Sequence, residues 1–433
     1  MQTLLQSYKA QALVFLFIWL VSMVLSAEFV LSLSMIGLLV LAFFEMEIEG
    51  PKVRLMWRRT LRENFRKYWK YKAWLAVSIP FLIVLISVLW SSDVHYTLER
   101  LRIKLPFLVL PFAFASMPAL RKKEIFTILY FLLVMMCITS LYILIDFLVN
   151  FDEVMELLGR GGHLPTPSNH IRFSLTLALT IIGGLALWAE KFYLQQAFEK
   201  YIIGGMTLFL FVFIHILSVR SGILALYLGL FVLGAYYIFF KKKYLLGIAG
   251  MAAIIALPFI AYKTFPSFKL KIDYAVWDYQ QFKNNTGSNY PDSERLFSMK
   301  NGLDIAKEHF LFGVGAGDLK KEVKKRYDTL YVGKYNFRMP HNQAISIFAG
   351  TGIVGLIVFF IGFFFPLFYK NNFKQPLFLA LHAVVFMSFM MENTIENNFG
   401  ISMYLFFLLI GLNYLSNQQG EEDERINAPF LQK

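Results

Sequence analysis

A histidine, three arginines and two glutamates stand where polar connections meet apolar runs of this chain. His341 follows Pro340 and precedes Asn342 and a long apolar stretch. Pro340 biases Met339 toward an extended conformation, and Asn342 is a good N-cap, so a helix is expected to start at His341-Asn342. An imidazole then sits at the mouth of an apolar helix, at its positive end and where water meets lipid. Arg172 opens another apolar run (His170-Ile171-Arg172), and Arg220 lies in the short connection Ser218-Val219-Arg220-Ser221-Gly222. Arg295 begins an amphipathic segment, and Glu392 with Glu396 lies between the last two apolar runs. Ionisable groups near membrane depth are costly and mark either a site or a buried pair. Arginines so placed can clamp phosphate oxygens through fork-like charge-assisted bonds, and the carboxylates can orient the arginines or the histidine. Each also has a plainer account: Arg172 and Arg220 snorkelling to headgroups, Arg295 a surface charge, Glu392 a helix cap, His341 an interfacial histidine.

Two of these residues, Arg295 and His341, depend on the polar stretch 263–340. Within it, Pro291-Asp292-Ser293 reads as a helix start. Leu296, Met299, Leu303, Ala306 and Phe310 then recur at 3-4-3-4 spacing, which predicts an amphipathic helix lying against a bundle. Gly313, Gly315 and Gly317 end it; no strand precedes them, so a helix stop and tight turn is a better account than a dinucleotide fingerprint. Lys320 to Arg326 reads as a basic helix or turn. His215, inside an apolar run, reads as a helix-packing residue, whereas His163 and His170 flank a Gly/Pro-rich loop and either line a cleft or belong to plain loop.

Composition gives the setting. The chain is 57% hydrophobic and only 16% charged, with mean hydropathy +0.55; a soluble domain carries about 25% charge. The apolar residues come in blocks long enough to span a bilayer. The expected fold is therefore an all-α polytopic membrane protein with about twelve transmembrane helices. They fall near 11–27, 29–44, 73–90, 104–119, 125–149, 171–189, 202–218, 222–240, 244–262, 343–369, 376–391 and 400–416. Nine spans fill 1–262, a long periplasmic loop with amphipathic helices occupies 263–340, three spans fill 341–416, and 417–433 is a cytoplasmic tail, disordered from Gly420. The first apolar run has no convincing cleavage site, so no cleavable signal peptide is expected. Basic clusters in 45–72, at Arg121-Lys122-Lys123, at Lys241-Lys242-Lys243 and at Lys370/Lys374 fall on one face with both termini. The positive-inside rule makes that face cytoplasmic and turns the site residues toward the periplasm. The net charge of +13 is thus partly topology and no sign of nucleic acid. A lone Cys137 excludes an intramolecular disulfide and a cysteine metal cluster, and no His/Glu spacing or acidic cluster suggests a bound metal.

From about Phe173 onward the chain resembles the O-antigen ligase family. The likeness rests on Arg220 in its Ser-rich loop, Arg295, Gly313-Val314-Gly315-Ala316-Gly317, His341-Asn342, Ala349-Gly350-Thr351-Gly352…Gly355 and the Glu392…Glu396…Gly400 segment. O-antigen polymerases and protein O-oligosaccharyltransferases share this layout. The resemblance implies an inner-membrane glycosyltransferase without cofactor, moving a glycan from an undecaprenyl-diphosphate carrier to a sugar hydroxyl of the lipid A–core. It implies His341 as general base and Arg220, Arg295 and Arg172 as the diphosphate-binding residues, with Asn342, Glu392 and Glu396 in support. A transporter or lipid flippase is the reading from another class; such proteins usually show internal repeats and charges at the bilayer midplane, and here neither pattern is evident.

Overall fold

The computed structural model describes residues 7–49, 52–167, 169–284, 290–330 and 336–427. The chain opens with α1 (Tyr8–Leu25), α2 (Glu28–Phe43), a hairpin of β1 (Phe44–Glu49) and β2 (Lys52–Trp57), and α3 (Leu61–Lys70). Next come α4 (Ala73–Val77), α5 (Ile79–Ser87), α6 (Val94–Ser116), α7 (Lys122–Val149) and α8 (Phe151–Gly159). The middle holds α9 (His170–Ala189), α10 (Glu199–Leu217), α11 (Arg220–Phe239) and α12 (Tyr244–Thr264). The polar stretch supplies α13 (Pro266–Lys283), α14 (Pro291–Glu308) and α15 (Leu319–Leu330). The chain ends with α16 (Gln343–Phe368), α17 (Pro376–Met391) and α18 (Asn398–Asn427), α17 being flanked by short 3-10 turns at Tyr369–Lys374 and Thr394–Glu396.

This is a polytopic membrane protein. Among the described residues, eight helices are long and apolar enough to cross a bilayer: α1, α7, α9, α10, α11, α12, α16 and α18. A backbone in lipid must satisfy its own hydrogen bonds, which drives such runs into helices. The other four expected spans also coincide with helices. Two are apolar but only 16 residues long, α2 and α17. The third is divided into α4 and α5, and the fourth, α6, starts at Val94, where Asp93 Oδ1 accepts the Tyr96 amide at 2.9 Å. α9 and α18 are buried on almost every side and form the centre, joined to α1 by a bond from Trp19 to Ser402.

The sequence reading did not foresee α3, α8 or α13, and two further segments depart from it. The segment 44–57 is not plain loop: Phe44 and Met46 alternate with Glu45 and Glu47, the period of a strand, and Glu47 pairs opposite Arg54 in an antiparallel register. The tail beyond Gly420 is helical through Asn427, because Glu-Glu-Asp-Glu-Arg continues α18 with mostly good helix formers; residues 428–433 lie outside the described part.

The basic connections expected on one face do meet. Lys9 pairs with Glu124 at 2.7 Å and donates to Ala119 O, while Asn413 accepts the Leu120 amide at 2.9 Å. Asn372 bonds Tyr71 and Gln419, Tyr236 donates to Lys374 O at 2.6 Å, and Lys122 pairs with Glu190. In the polar stretch, α13 and α14 pack instead at the end of α10 and the start of α16, where Ser267 donates to Ile216 O and Ser298 accepts the His341 amide.

That stretch is locked into the bundle through a break in α16. Gly352 has φ +70 and ψ −175, so the helix loses its regular ladder there. Val314 N donates to Ala349 O at 3.0 Å and Gly315 N to Gly350 O at 2.8 Å, while Ile353 N donates to Phe310 O at 2.8 Å. The glycine run thus replaces intrahelical partners, which is why Gly313 and Gly352 face each other across the contact. A Cβ on Gly352 would lie 2.1 Å from Leu311 O. Gly352→Ala is therefore expected to cost at least about 1–3 kcal/mol in backbone strain, plus the clash, read as a fall in membrane abundance and melting temperature. A wild-type melting profile would show that the break is not required.

Candidate functional site

The site is built where four connections converge. Ser218 takes a left-handed conformation after α10, with φ +57, and its hydroxyl donates to His215 O at 2.8 Å. That tight turn delivers Arg220 to the first position of α11. Gly222 follows because α9 passes close by: a Cβ there would be 2.5 Å from Ser174. On the second element, α14, the first amides would be orphaned at the helix start. The fully buried Asp278 of α13 accepts them, taking Asp292 N at 2.9 Å and Ser293 N at 3.1 Å. This fixes Asp292 and, one turn later, Arg295.

The third element is the segment 336–342. Buried Glu294 of α14 holds Asn336 at 2.6 Å and pairs with Arg338. Ser298 of α14 accepts the His341 amide at 3.2 Å. Asn342 is the N-cap as expected: its Oδ1 accepts Ile345 N at 3.0 Å, and its Nδ2 donates to Met390 O at 2.8 Å. The Met390 bond draws the fourth element, the link from α17 to α18, against His341.

An open cavity of about 380 Å³ lies among these elements, within the usual range for small-molecule sites. His341, Arg220, Arg295 and Glu392 line it together. Glu392 stands between His341 and Arg295, 3.3 Å from His341 Nδ1 and 3.6 Å from Arg295 Nη2. Burial pushes its carboxyl up, but the His341 contact and the charges of His341, Arg295 and Arg172 outweigh it and hold the group below the ordinary glutamate range. Arg220 Nη2 spans both oxygens of Asp292, at 2.6 and 2.7 Å. Arg295 Nε is buried and has no hydrogen-bond partner among the described residues.

The structure sorts the remaining sequence candidates. Arg172 does not line the cavity; its guanidinium lies over the Phe399 ring at 5.9 Å and bears on Glu392 through its charge. Glu396 is turned away into a separate polar cluster, 2.8 Å from Lys104 and also 2.8 Å from Gln343 Nε2. Gln343 Oε1 in turn accepts Ile395 N at 3.0 Å, so Glu396 braces the α17–α18 link from behind. His215 is buried and bonds Tyr227 at 2.7 Å, a packing role. His163 and His170 line the cavity, and with them Asp292 and Lys271. Sequence reasoning singled out neither of the last two. Asp292 was read only as part of a helix start, and Lys271 lay in a stretch where α13 was not recognised.

The arrangement supplies two guanidinium groups, and one imidazole whose Nδ1 lies 3.3 Å from a carboxylate, to a single cavity. It can bind a phosphate-rich group at one wall and accept a proton at another. Among the described residues no three His, Cys, Asp or Glu side chains gather as a metal-holding group.

Residues 205–360 match a family model described as O-antigen ligase. The matched segment contains Arg220, Arg295, His341, Asn342 and the glycine contact at Gly352, while Arg172, Glu392 and Glu396 lie outside it. No curated protein matches the chain.

Proposed function

We propose that this chain, with its O-antigen ligase domain, transfers a glycan from undecaprenyl diphosphate to a sugar hydroxyl of the lipid A–core. The observation that carries the reading is the cavity shared by Arg220, Arg295 and His341, with Glu392 3.3 Å from His341 Nδ1. Glu392 faces Nδ1 and so favours the tautomer protonated there, leaving the Nε2 lone pair to accept a proton. The acceptor hydroxyl gives its proton to His341 Nε2 as its oxygen bonds the anomeric carbon. The bond from that carbon to the diphosphate breaks, and its electron pair leaves on the phosphate oxygen. Arg220 and Arg295 are placed to stabilise that developing charge. Arg172 supports the reading indirectly, by holding Glu392 ionised, and Asn342 by fixing the approach of His341.

A polymerase joining two lipid-linked glycans uses the same chemistry, and a protein O-oligosaccharyltransferase differs only in acceptor. Lipopolysaccharide profiling of a deletion strain tests the choice. Loss of all long chains with accumulation of the lipid-linked pool supports a ligase; cores capped by single repeats overturn it in favour of a polymerase.

The reading includes twelve spans in a bacterial inner membrane, both termini cytoplasmic and the cavity open to the periplasm. A reporter fused after Lys243 is then expected in the cytoplasm and one near Lys320 in the periplasm. The same compartment for both would sink the span count and the placement of the site. Because the cavity's own arginines face the leaving diphosphate, turnover in a purified, lipid-reconstituted assay is expected to survive EDTA. Activity lost to EDTA and restored by Mg²⁺ would assign that charge to a metal instead.

A further inference from the structure

The wall formed by His163, His170 and Lys271 has no part in the chemistry above, yet its side chains are held in a network of their own. Lys271 is buried. Its ammonium donates to Gly161 O at 3.1 Å and to Gly162 O, and it lies 3.4 Å from His163 Nδ1. Gly161 has φ +86, and a Cβ there would meet Tyr274 at 2.8 Å, so the loop is clamped from both sides. An ammonium has donors only. His163 Nδ1 must therefore carry the lone pair, and the ring proton sits on Nε2. The His163 and His170 rings are stacked, with centroids 3.6 Å apart and planes at 20°.

Two imidazolium rings would repel at that separation. Burial, then His170, Lys271, Arg295 and Arg220, push the pKa of His163 down to about 3, so its ring is neutral. With its Nδ1 lone pair turned to Lys271, His163 offers the space one N–H donor. His170, also neutral with its pKa lowered to about 4 first by burial and then by nearby charges, offers one donor and one acceptor, which suits hydroxyl and amide groups rather than a second anion. Lys271 is already engaged with the loop carbonyls, so it adds little to anion binding. Tyr279, half exposed on α13, extends the same wall with a phenol and a flat ring.

We infer that His163, His170 and Tyr279, with Lys271 positioning His163, form the subsite for the sugar directly attached to the donor diphosphate. The inference rests on the donor reading above. That sugar must lie beside the diphosphate arginines, and its anomeric carbon must be open to attack near His341; this wall lines the cavity that holds both. The occupant would be a pyranose bearing hydroxyl or acylamino groups. Hydrogen bonds to neutral imidazoles select it, and their individual worth corresponds to about a two- to tenfold change in affinity.

The test uses the full chain in lipid nanodiscs and two probes: bare undecaprenyl diphosphate, and the same lipid carrying the native glycan, isolated from a deletion strain. Wild-type protein is expected to bind the glycan-bearing lipid more tightly than the bare one. His163→Ala and His170→Ala should each remove about two- to tenfold of that preference while leaving the bare lipid unchanged. His163→Gln, which keeps an N–H donor near the Nε2 position, should recover part of it. Melting temperatures identify any variant that fails to fold, and the Gln and His170 variants then decide. Equal weakening of both probes, or no weakening of either, overturns the sugar subsite and leaves the donor reading standing. Equal binding of both probes by the wild type does the same. Binding of neither probe by the wild type removes the donor reading itself, and the subsite with it.

Discussion

His341→Ala and His341→Gln are expected to accumulate in the membrane like the wild type and to bind the lipid-linked donor, yet to lose about 10²–10⁴ in turnover, the usual worth of a general base. The separation of binding from chemistry follows from geometry. The arginines that face the diphosphate sit on α11 and α14, and neither depends on the His341 ring for its position. The structural contact of His341 with α14 is made by its backbone amide, through Ser298, and any residue but proline keeps that bond. Asn342→Ala is the useful contrast. It removes the N-cap of α16 and the tie to Met390, at a cost of about 1 kcal/mol for the cap alone. Its defect should appear largely as lowered stability. Donor binding, turnover and membrane level measured side by side separate the two. Wild-type turnover in His341→Ala would remove the base assignment, and a collapse in its abundance would make His341 a structural residue.

How much of this could be read from the sequence depended on whether a signal was local. The helix start at Asn342 and a helix from Pro291 were legible, because capping and proline starts are short-range patterns. The stripe read as its packing face was not the buried one: Phe297, Asn301, Ile305 and Ala306 are buried, whereas Leu303 and Phe310 are exposed. So was the pairing of basic connections at one end, since each carries its own charge cluster. The partners of the site residues were not legible. Asp292 meets Arg220 across 72 residues, and Lys271 meets His163 across 108. Nothing in either neighbourhood announces the other. Glu396 shows the converse: it lies four residues from Glu392, yet the 3-10 turn between them points the two carboxylates to opposite sides of the link. α13 was missed although Pro266 opens its first turn, because its apolar residues follow no clean helical stripe. The break at Gly352 was visible only as a glycine-rich run; its meaning lies in the second glycine run that docks on it.

Arg220→Lys is expected to lose nearly as much activity as Arg220→Ala, about 10²-fold if the guanidinium makes charge-assisted bonds of the usual 1.5–3 kcal/mol. One amine of Arg220 is committed to Asp292, at 2.6 and 2.7 Å from its two oxygens. That leaves the other edge of the planar fork for phosphate oxygens, in an orientation fixed by the carboxylate behind it. A lysine has the charge but a single ammonium, which cannot engage Asp292 and present a second, rigidly aimed pair of donors. The pair therefore acts as a unit. Asp292→Asn keeps the size of the side chain and its backbone bonds to Asp278 but weakens the grip on Arg220. It should fall between wild type and Arg220→Lys, and the double variant should be little worse than Arg220→Lys alone. The loss should appear in donor affinity as well as in turnover, unlike that of His341→Ala. Full activity in Arg220→Lys would return this arginine to a snorkelling or purely structural role, and additive losses in the double variant would show that Asp292 acts on something other than Arg220.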